Sequence, residues 1–216
     1  MLEIREIRKS YGETAVLLGA SLRMEPGVWL GLAGRNGCGK STLLGIAAQV
    51  LPSDGGDILC GGVSVLGDRR FLRKKLGYVP QEDALCDFLT VEQQLALWRS
   101  AVEAADPETE QLLDLGEIAK KRIDRLSGGQ RKRLSIAMAL QTRPEYLIMD
   151  EAFSSLDTVY RERLAQWITQ QCARGMSVLW CSHDTGELER LCTRLCALRG
   201  GVIVPLEQDN TRQGDQ

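Results

Sequence analysis

No apolar run of about 20 residues, the length needed to cross a bilayer, occurs in this 216-residue sequence. The longest uncharged stretch, Ser41–Ser53, is shorter than that and not wholly apolar. The opening residues MLEIREIRKS carry a charge every few positions, unlike a secretory signal. If the protein works at a membrane, it is expected to dock onto a separate protein. There is no excess of basic residues: 27 Lys and Arg stand against 29 Asp and Glu, for a net charge of −2. The basic footprint of a dedicated nucleic-acid binder is missing, so no nucleic-acid partner is expected. The seven cysteines, Cys38, Cys60, Cys86, Cys172, Cys181, Cys192 and Cys196, are odd in number and form no C-x-x-C pair. A structural zinc site is therefore not expected, and a reducing, cytoplasmic location is. Cys192 and Cys196 are four apart, a spacing that suits one helix face. Histidine occurs once, at position 183. No internal repeat and no low-complexity linker are visible.

Hydrophobic residues make up 44% of the chain and charged residues 26%, an ordinary globular balance. The length suits one large domain, or one core with a smaller insert. Residues 2–8 alternate apolar and polar, as a half-buried strand does, and residues 16–24 continue the pattern. Pro26-Gly27 marks a turn. Val28–Ala33 is a short apolar run of the buried-strand type, followed by a Gly-rich loop and a helical pattern over Ser41–Val50. The Gly- and Asp-rich stretch 53–67 suggests hairpins. From Val91 to about Leu115 the pattern is helical, with Val91, Leu95 and Trp98 at i, i+4 and i+7. Two further apolar runs, Tyr146–Met149 and Ser177–Cys181, read as strands, and 158–174 and 184–192 as helices. Alternating strands and helices argue for an α/β fold with a mainly parallel sheet. The expected organisation is a single domain over 1–206. Its core comprises 1–81, with an N-terminal antiparallel β part, and 141–206. A helical subdomain occupies 82–140, and 207–216 is a polar, flexible tail.

Residues 34–42 read GRNGCGKST, which fits G-x-x-x-x-G-K-[ST]. Glycines at 34, 37 and 39 let backbone N–H groups converge on a phosphate, and the helix start that follows favours an anion. Gly34, Arg35, Asn36, Gly37, Cys38, Gly39, Lys40, Ser41 and Thr42 are accordingly candidate nucleotide-binding residues. Lys40 can reach the β- and γ-phosphates, and the Ser41 hydroxyl can ligate Mg²⁺. The glycines fall as G-x-x-G-x-G, not as G-x-G-x-x-G, which disfavours a dinucleotide-binding oxidoreductase. Cys38, at a helix start near Lys40, is a candidate reactive thiol.

Residues 146–151 read YLIMDE. A buried strand there delivers Asp150 and Glu151 to its C-terminal end, the edge on which α/β sheets place ligands. The first acid suits Mg²⁺ and the second suits a general base for an attacking water. His183 follows the Ser177–Cys181 run and lies on the same edge. Gln81 follows GYVP at another strand end and can touch both the metal and the water.

Residues 126–130 read LSGGQ. This resembles the signature of ATP-binding-cassette (ABC) ATPases. The motif order also resembles that family: Tyr11, the loop at 34–42, Gln81, LSGGQ, Asp150-Glu151, SSLD at 154–157, His183. The resemblance covers about residues 2–205. It implies a P-loop NTPase core whose helical insert carries the signature, with ATP as substrate and Mg²⁺ as cofactor. Tyr11 would stack on adenine, and Ser41, Gln81 and Asp150 would hold Mg²⁺. Gln81 would also link that site to a membrane partner. Glu151 would be the catalytic base and His183 the switch residue. Ser127, Gly128, Gly129 and Gln130 would meet the γ-phosphate of an opposite subunit, and Asp157 would communicate across the dimer. A homodimer or heterodimer of cassettes, peripheral on the cytoplasmic face of the membrane and joined to integral membrane subunits, is thus implied. The sequence departs from the family at Ala152, where Pro is common, and at SSL before Asp157. Neither change removes a chemical group.

A soluble ABC-class ATPase in a non-transport process is the alternative. Only residues 41–125 separate Lys40 from LSGGQ, with no room for the long coiled coil of chromosome-organising relatives, and the chain holds one cassette where translation-factor relatives usually carry two. GYVPQ followed by LTVEQQL is similar to drug- and polysaccharide-type exporter subunits, which favours export over import.

Overall fold

A computed structural model describes residues 1–68, 74–102, 106 and 108–206; the expected tail at 207–216 lies outside the described residues. The strands are β1 (Leu2–Tyr11), β2 (Thr14–Met24), β3 (Trp29–Ala33), β4 (Gly55–Cys60), β5 (Val63–Ser64), β6 (Leu76–Val79), β7 (Tyr146–Asp150), β8 (Ser177–Cys181), β9 (Arg194–Arg199) and β10 (Val202–Leu206). The helices are α1 (Lys40–Ala47), α2 (Val91–Ala101), α3 (Glu108–Leu112), α4 (Gly128–Leu140), α5 (Thr158–Ala173) and α6 (Thr185–Leu191). Short 3₁₀ turns cover Leu115–Ile118 and Ile123–Arg125.

Two sheets result. One is antiparallel, in the order β2-β1-β4-β5. The other runs β10-β9-β3-β8-β7-β6 and is parallel except at its β10 edge. The period of two along each strand divides the core. On β7, Tyr146 and Ile148 join a cluster with Leu2 and Ile4 of β1 and Leu43 and Leu44 of α1. Leu147 and Met149 face the other way, into a cluster with Leu134 and Ala137 of α4 and Leu164 and Ile168 of α5. β8 repeats the division, with Leu179 and Cys181 on one face and Val178 and Trp180 on the other. Burial on both faces makes these strands uniformly apolar, and their C-terminal ends reach one common edge.

The helical reading of 91–115 is interrupted. Thr90 and Gln93 form a capping box that starts α2, but Val102, past its end, is extended. Pro107 in the sequence disfavours a helical Asp106, so the chain cannot continue the helix through this point. Asp114 then takes a left-handed φ of 48° and leads into the first 3₁₀ turn. Cys192 and Cys196 share no helix face either. Cys192 caps the end of α6 in extended conformation, while Cys196 lies on β9 and its Sγ donates to the Gly31 carbonyl at 3.5 Å. Thr193 turns the chain between them, bonding Trp29 through both backbone and hydroxyl.

Candidate functional site

The phosphate loop leaves β3 and enters α1. Gly39, at the N-cap, has φ 105°, and a Cβ there would come within 2.6 Å of Val16 Cγ1. Only glycine meets both conditions. Lys40 is nearly buried, and its Nζ donates to the carbonyls of Gly34 (2.9 Å) and Arg35 (3.3 Å). The ammonium thus spans the loop from which it projects.

A cleft of about 800 Å³ lies over this loop. It gathers Asn36, Gly37, Gly39, Lys40, Ser41 and Thr42 with Tyr11 from β1, Gln81 from the loop after β6, Asp150 and Glu151 from the end of β7, and His183 from beyond β8. Tyr11 is half exposed, with Lys9 Nζ 5.7 Å from its ring centroid. Gly34, Arg35 and Cys38 do not line the cleft, although the first two supply the carbonyls that hold Lys40.

Asp150 is almost fully buried and accepts a hydrogen bond from Cys181 Sγ at 2.8 Å. Burial and the adjacent Asp150 carboxylate push the Cys181 thiol far up, so it stays a protonated donor. Glu151 has a left-handed φ of 50°, rare for a residue with a side chain. Its backbone N–H donates to the Cys181 carbonyl at 3.1 Å, and its own carbonyl accepts from Ser154 Oγ at 2.8 Å. Its carboxylate Oε2 lies 2.8 Å from His183 Nδ1. The two residues are far apart in sequence and meet only because β7 and β8 are parallel neighbours.

The signature starts α4. Ser127 is the N-cap, and its hydroxyl and the Gln130 side chain form a capping box. Gly129 meets the Ser155 carbonyl so closely that a Cβ would lie 2.8 Å from it. Ser127, Gly128, Gly129, Gln130 and Asp157 do not line the cleft of their own chain. Asp157 caps α5, accepting from Tyr160 N at 3.1 Å.

The structure adds residues to the site to which no motif gave a role. Val16 lines the cleft, as does Ser154 of the SSLD segment. Arg161 donates to the carbonyls of Leu156 (2.8 Å) and Ser154 (3.2 Å), and its other nitrogen lies 3.9 Å from Glu187 on α6. It therefore ties the SSLD loop to the helix that follows His183. Cys181 and Arg161 belong to no motif, and only the strand neighbours reveal them.

The family model described as ABC transporter matches residues 17–154. The chain belongs to the ABC transporter family. Its function is that of an ATP-binding and ATP-hydrolysing subunit of such a transporter. The cassette is 33% identical to the linearmycin resistance ATP-binding protein LnrL of Bacillus subtilis, covering 95% of this chain and 68% of that protein. It is 35% identical to the Nod factor export ATP-binding protein I of Rhizobium etli, covering 93% of this chain and 66% of that one. It therefore spans about two thirds of the length of these relatives. Among solved structures, a dimeric bacterial ABC transporter cassette aligns with TM-score 0.83 at 25% identity, over 96% of this chain and 99% of that one. The ATP-binding subunit of another ABC transporter aligns with TM-score 0.86 at 24% identity, over 95% and 90% of the two chains, a likeness of fold. Tyr11, Asp157 and His183 lie outside the span matched by the family model.

Proposed function

We propose that this cassette hydrolyses ATP between two cassettes and drives export through a separate membrane-spanning partner. The observation that carries the catalytic part is the contact of Glu151 with His183 in the cleft that the phosphate loop also lines. Backbone N–H groups of the loop and Lys40 bind the phosphates, and the exposed Tyr11 ring offers a stacking face for adenine. Ser41, Gln81 and Asp150 present only oxygen ligands, or an amide that can offer one, to a common space, a donor set that fits Mg²⁺. Once bound, Mg²⁺ supplies charge neutralisation at the β- and γ-phosphate oxygens. Glu151 accepts the proton of the attacking water, and His183 holds that carboxylate in place. Gln81, which lines the same cleft, contacts the same water.

The signature residues stand away from their own cleft, which suits them to the γ-phosphate of a facing cassette. Helix α4 would bring the N–H groups of Gly128 and Gly129 to that anion. Hydrolysis then removes the bridging charge and opens the pair, shifting the partner between two states. Export is supported by the relatives named for Nod factor export and linearmycin resistance and by the GYVPQ and LTVEQQL segments. A cytoplasmic position at the membrane face follows from the same reading, and no helix among the described residues is long and apolar enough to cross a membrane.

Glu151→Gln tests the catalytic assignment. Turnover is expected to fall by about 100-fold or more, with ATP binding retained. Turnover equal to that of the parent protein would refute the role of Glu151.

A further inference from the structure

Lys132 is the fifth residue of α4 and is buried, with 3% of its surface exposed. A lysine so placed needs partners for its charge and for three N–H groups. It finds all of them on one loop. Nζ donates to the Pro80 carbonyl at 3.0 Å, to the Gln81 carbonyl at 3.0 Å and to Asp83 Oδ1 at 2.7 Å. The Asp83 side chain is itself largely shielded, so the ion pair is weakly screened. The loop is the one that leaves β6 and projects Gln81 into the cleft. The helix is the one that Ser127 caps, five positions before Lys132.

One ammonium therefore fixes the backbone of Gln81 to the helix bearing the signature. We propose that Lys132 is a positioning residue, which locks Gln81 to the signature helix so that these two elements of one cassette move as a unit. Gln81 belongs to the cassette's own cleft and the signature to the facing one. A shift of α4 on meeting the opposite ATP is thus transmitted to the peptide that carries Gln81, and the reverse. The inference rests on the roles given above to Gln81 and the signature.

The test is steady-state ATP hydrolysis by the full chain, comparing Lys132→Met, Asp83→Asn, Gln81→Ala and the pairings of the first two with Gln81→Ala. Thermal unfolding of each variant is followed in parallel. Lys132→Met is expected to lower kcat by about tenfold while KM for ATP stays within about twofold, because positioning is lost and ground-state binding is not. Asp83→Asn should lower kcat less, in the same direction. Neither change should slow Gln81→Ala further, since the effect passes through Gln81. A cooperatively folded Lys132→Met with kcat within about twofold of the parent overturns the proposal. Effects that multiply with Gln81→Ala overturn it too. If Lys132→Met does not fold, Asp83→Asn decides by the same comparison. Failure of the underlying reading looks different: Gln81→Ala alone would then leave kcat unchanged, which removes this inference with it.

Discussion

Cys38 lies in the middle of the phosphate loop, yet its thiol turns away from the cleft. It packs against the cluster shared by β1 and α1, and a methyl group on Gly34 would come within 2.8 Å of its Sγ. The side chain acts as a small filler behind the loop. An alkyl adduct on this half-buried thiol is expected to crowd Gly34 and displace the loop backbone. N-ethylmaleimide is therefore expected to inhibit turnover, and bound ATP should slow the modification. Cys38→Ala should keep turnover within about twofold and resist the reagent. Mass spectrometry showing full modification of Cys38 with activity undiminished would contradict this. At this scale the motif residues that line the cleft stand out in the sequence because the proposed chemistry demands fixed spacing. Lys40, Ser41, Asp150, Glu151 and His183 are all of that kind. Cys181 and Arg161 could not, since a thiol on a buried strand and an arginine on a helix carry no local pattern. Their roles come from neighbours that only folding supplies.

Among the elements, those with both faces buried were the easiest to read. β7 from Tyr146 to Met149 and β8 from Val178 to Cys181 are unbroken apolar runs because clusters lie on either side of them. The stretch after α2 was harder, since its apolar spacing continues while its backbone does not. A tertiary contact takes over there. Asp106 is buried, its N–H donates to the Gln141 carbonyl at 2.9 Å, and its carboxylate accepts from Arg143 Nε at 2.7 Å. Arg143 in turn holds a left-handed φ of 47° just past α4. The hydrogen bond to the Arg143 guanidinium holds the Asp106 carboxyl below its ordinary range. A lowered folded-state value means that this pairing stabilises the fold above the ordinary carboxylate pKa of about 4 and is lost as pH falls through the lowered value. Arg143→Gln should accordingly lower Tm at neutral pH, and the gap to the parent should close as both are taken into acid. Melting curves across the acid range check this. A gap that stays constant down to the lowest pH would assign the loss to packing of the arginine stem instead.

For the whole molecule, the distribution of the motifs matters more than any one of them. The α/β class was readable from alternating runs, and β1 and β2 as half-buried strands from their alternation, while their antiparallel pairing comes from the structure. The antiparallel β10 edge was not, because β10 is half exposed and has little pattern to show. The division of the functional residues into two sets is implied by the family resemblance and by no local pattern in the residues themselves. Tyr11, the phosphate loop, Gln81, Asp150, Glu151 and His183 face one cleft, while Ser127–Gln130 and Asp157 lie outside it. Ser127 is exposed, and the first N–H groups of α4 lack helical partners by construction. An anion presented by a second cassette would satisfy them. If so, a cassette that binds ATP without cleaving it should accumulate as a pair. Glu151→Gln with ATP is expected to sediment at twice the monomer mass, and to return to monomer when ATP is removed. Adding Ser127→Arg places a bulky side chain at the facing surface and removes a cap worth about 1 kcal/mol. That double variant should still bind ATP, since its own cleft is untouched, but should remain monomeric. A pair that forms without ATP, or that survives Ser127→Arg, would mean that the cassettes meet through some other surface, and the signature would then need another partner for its open N–H groups.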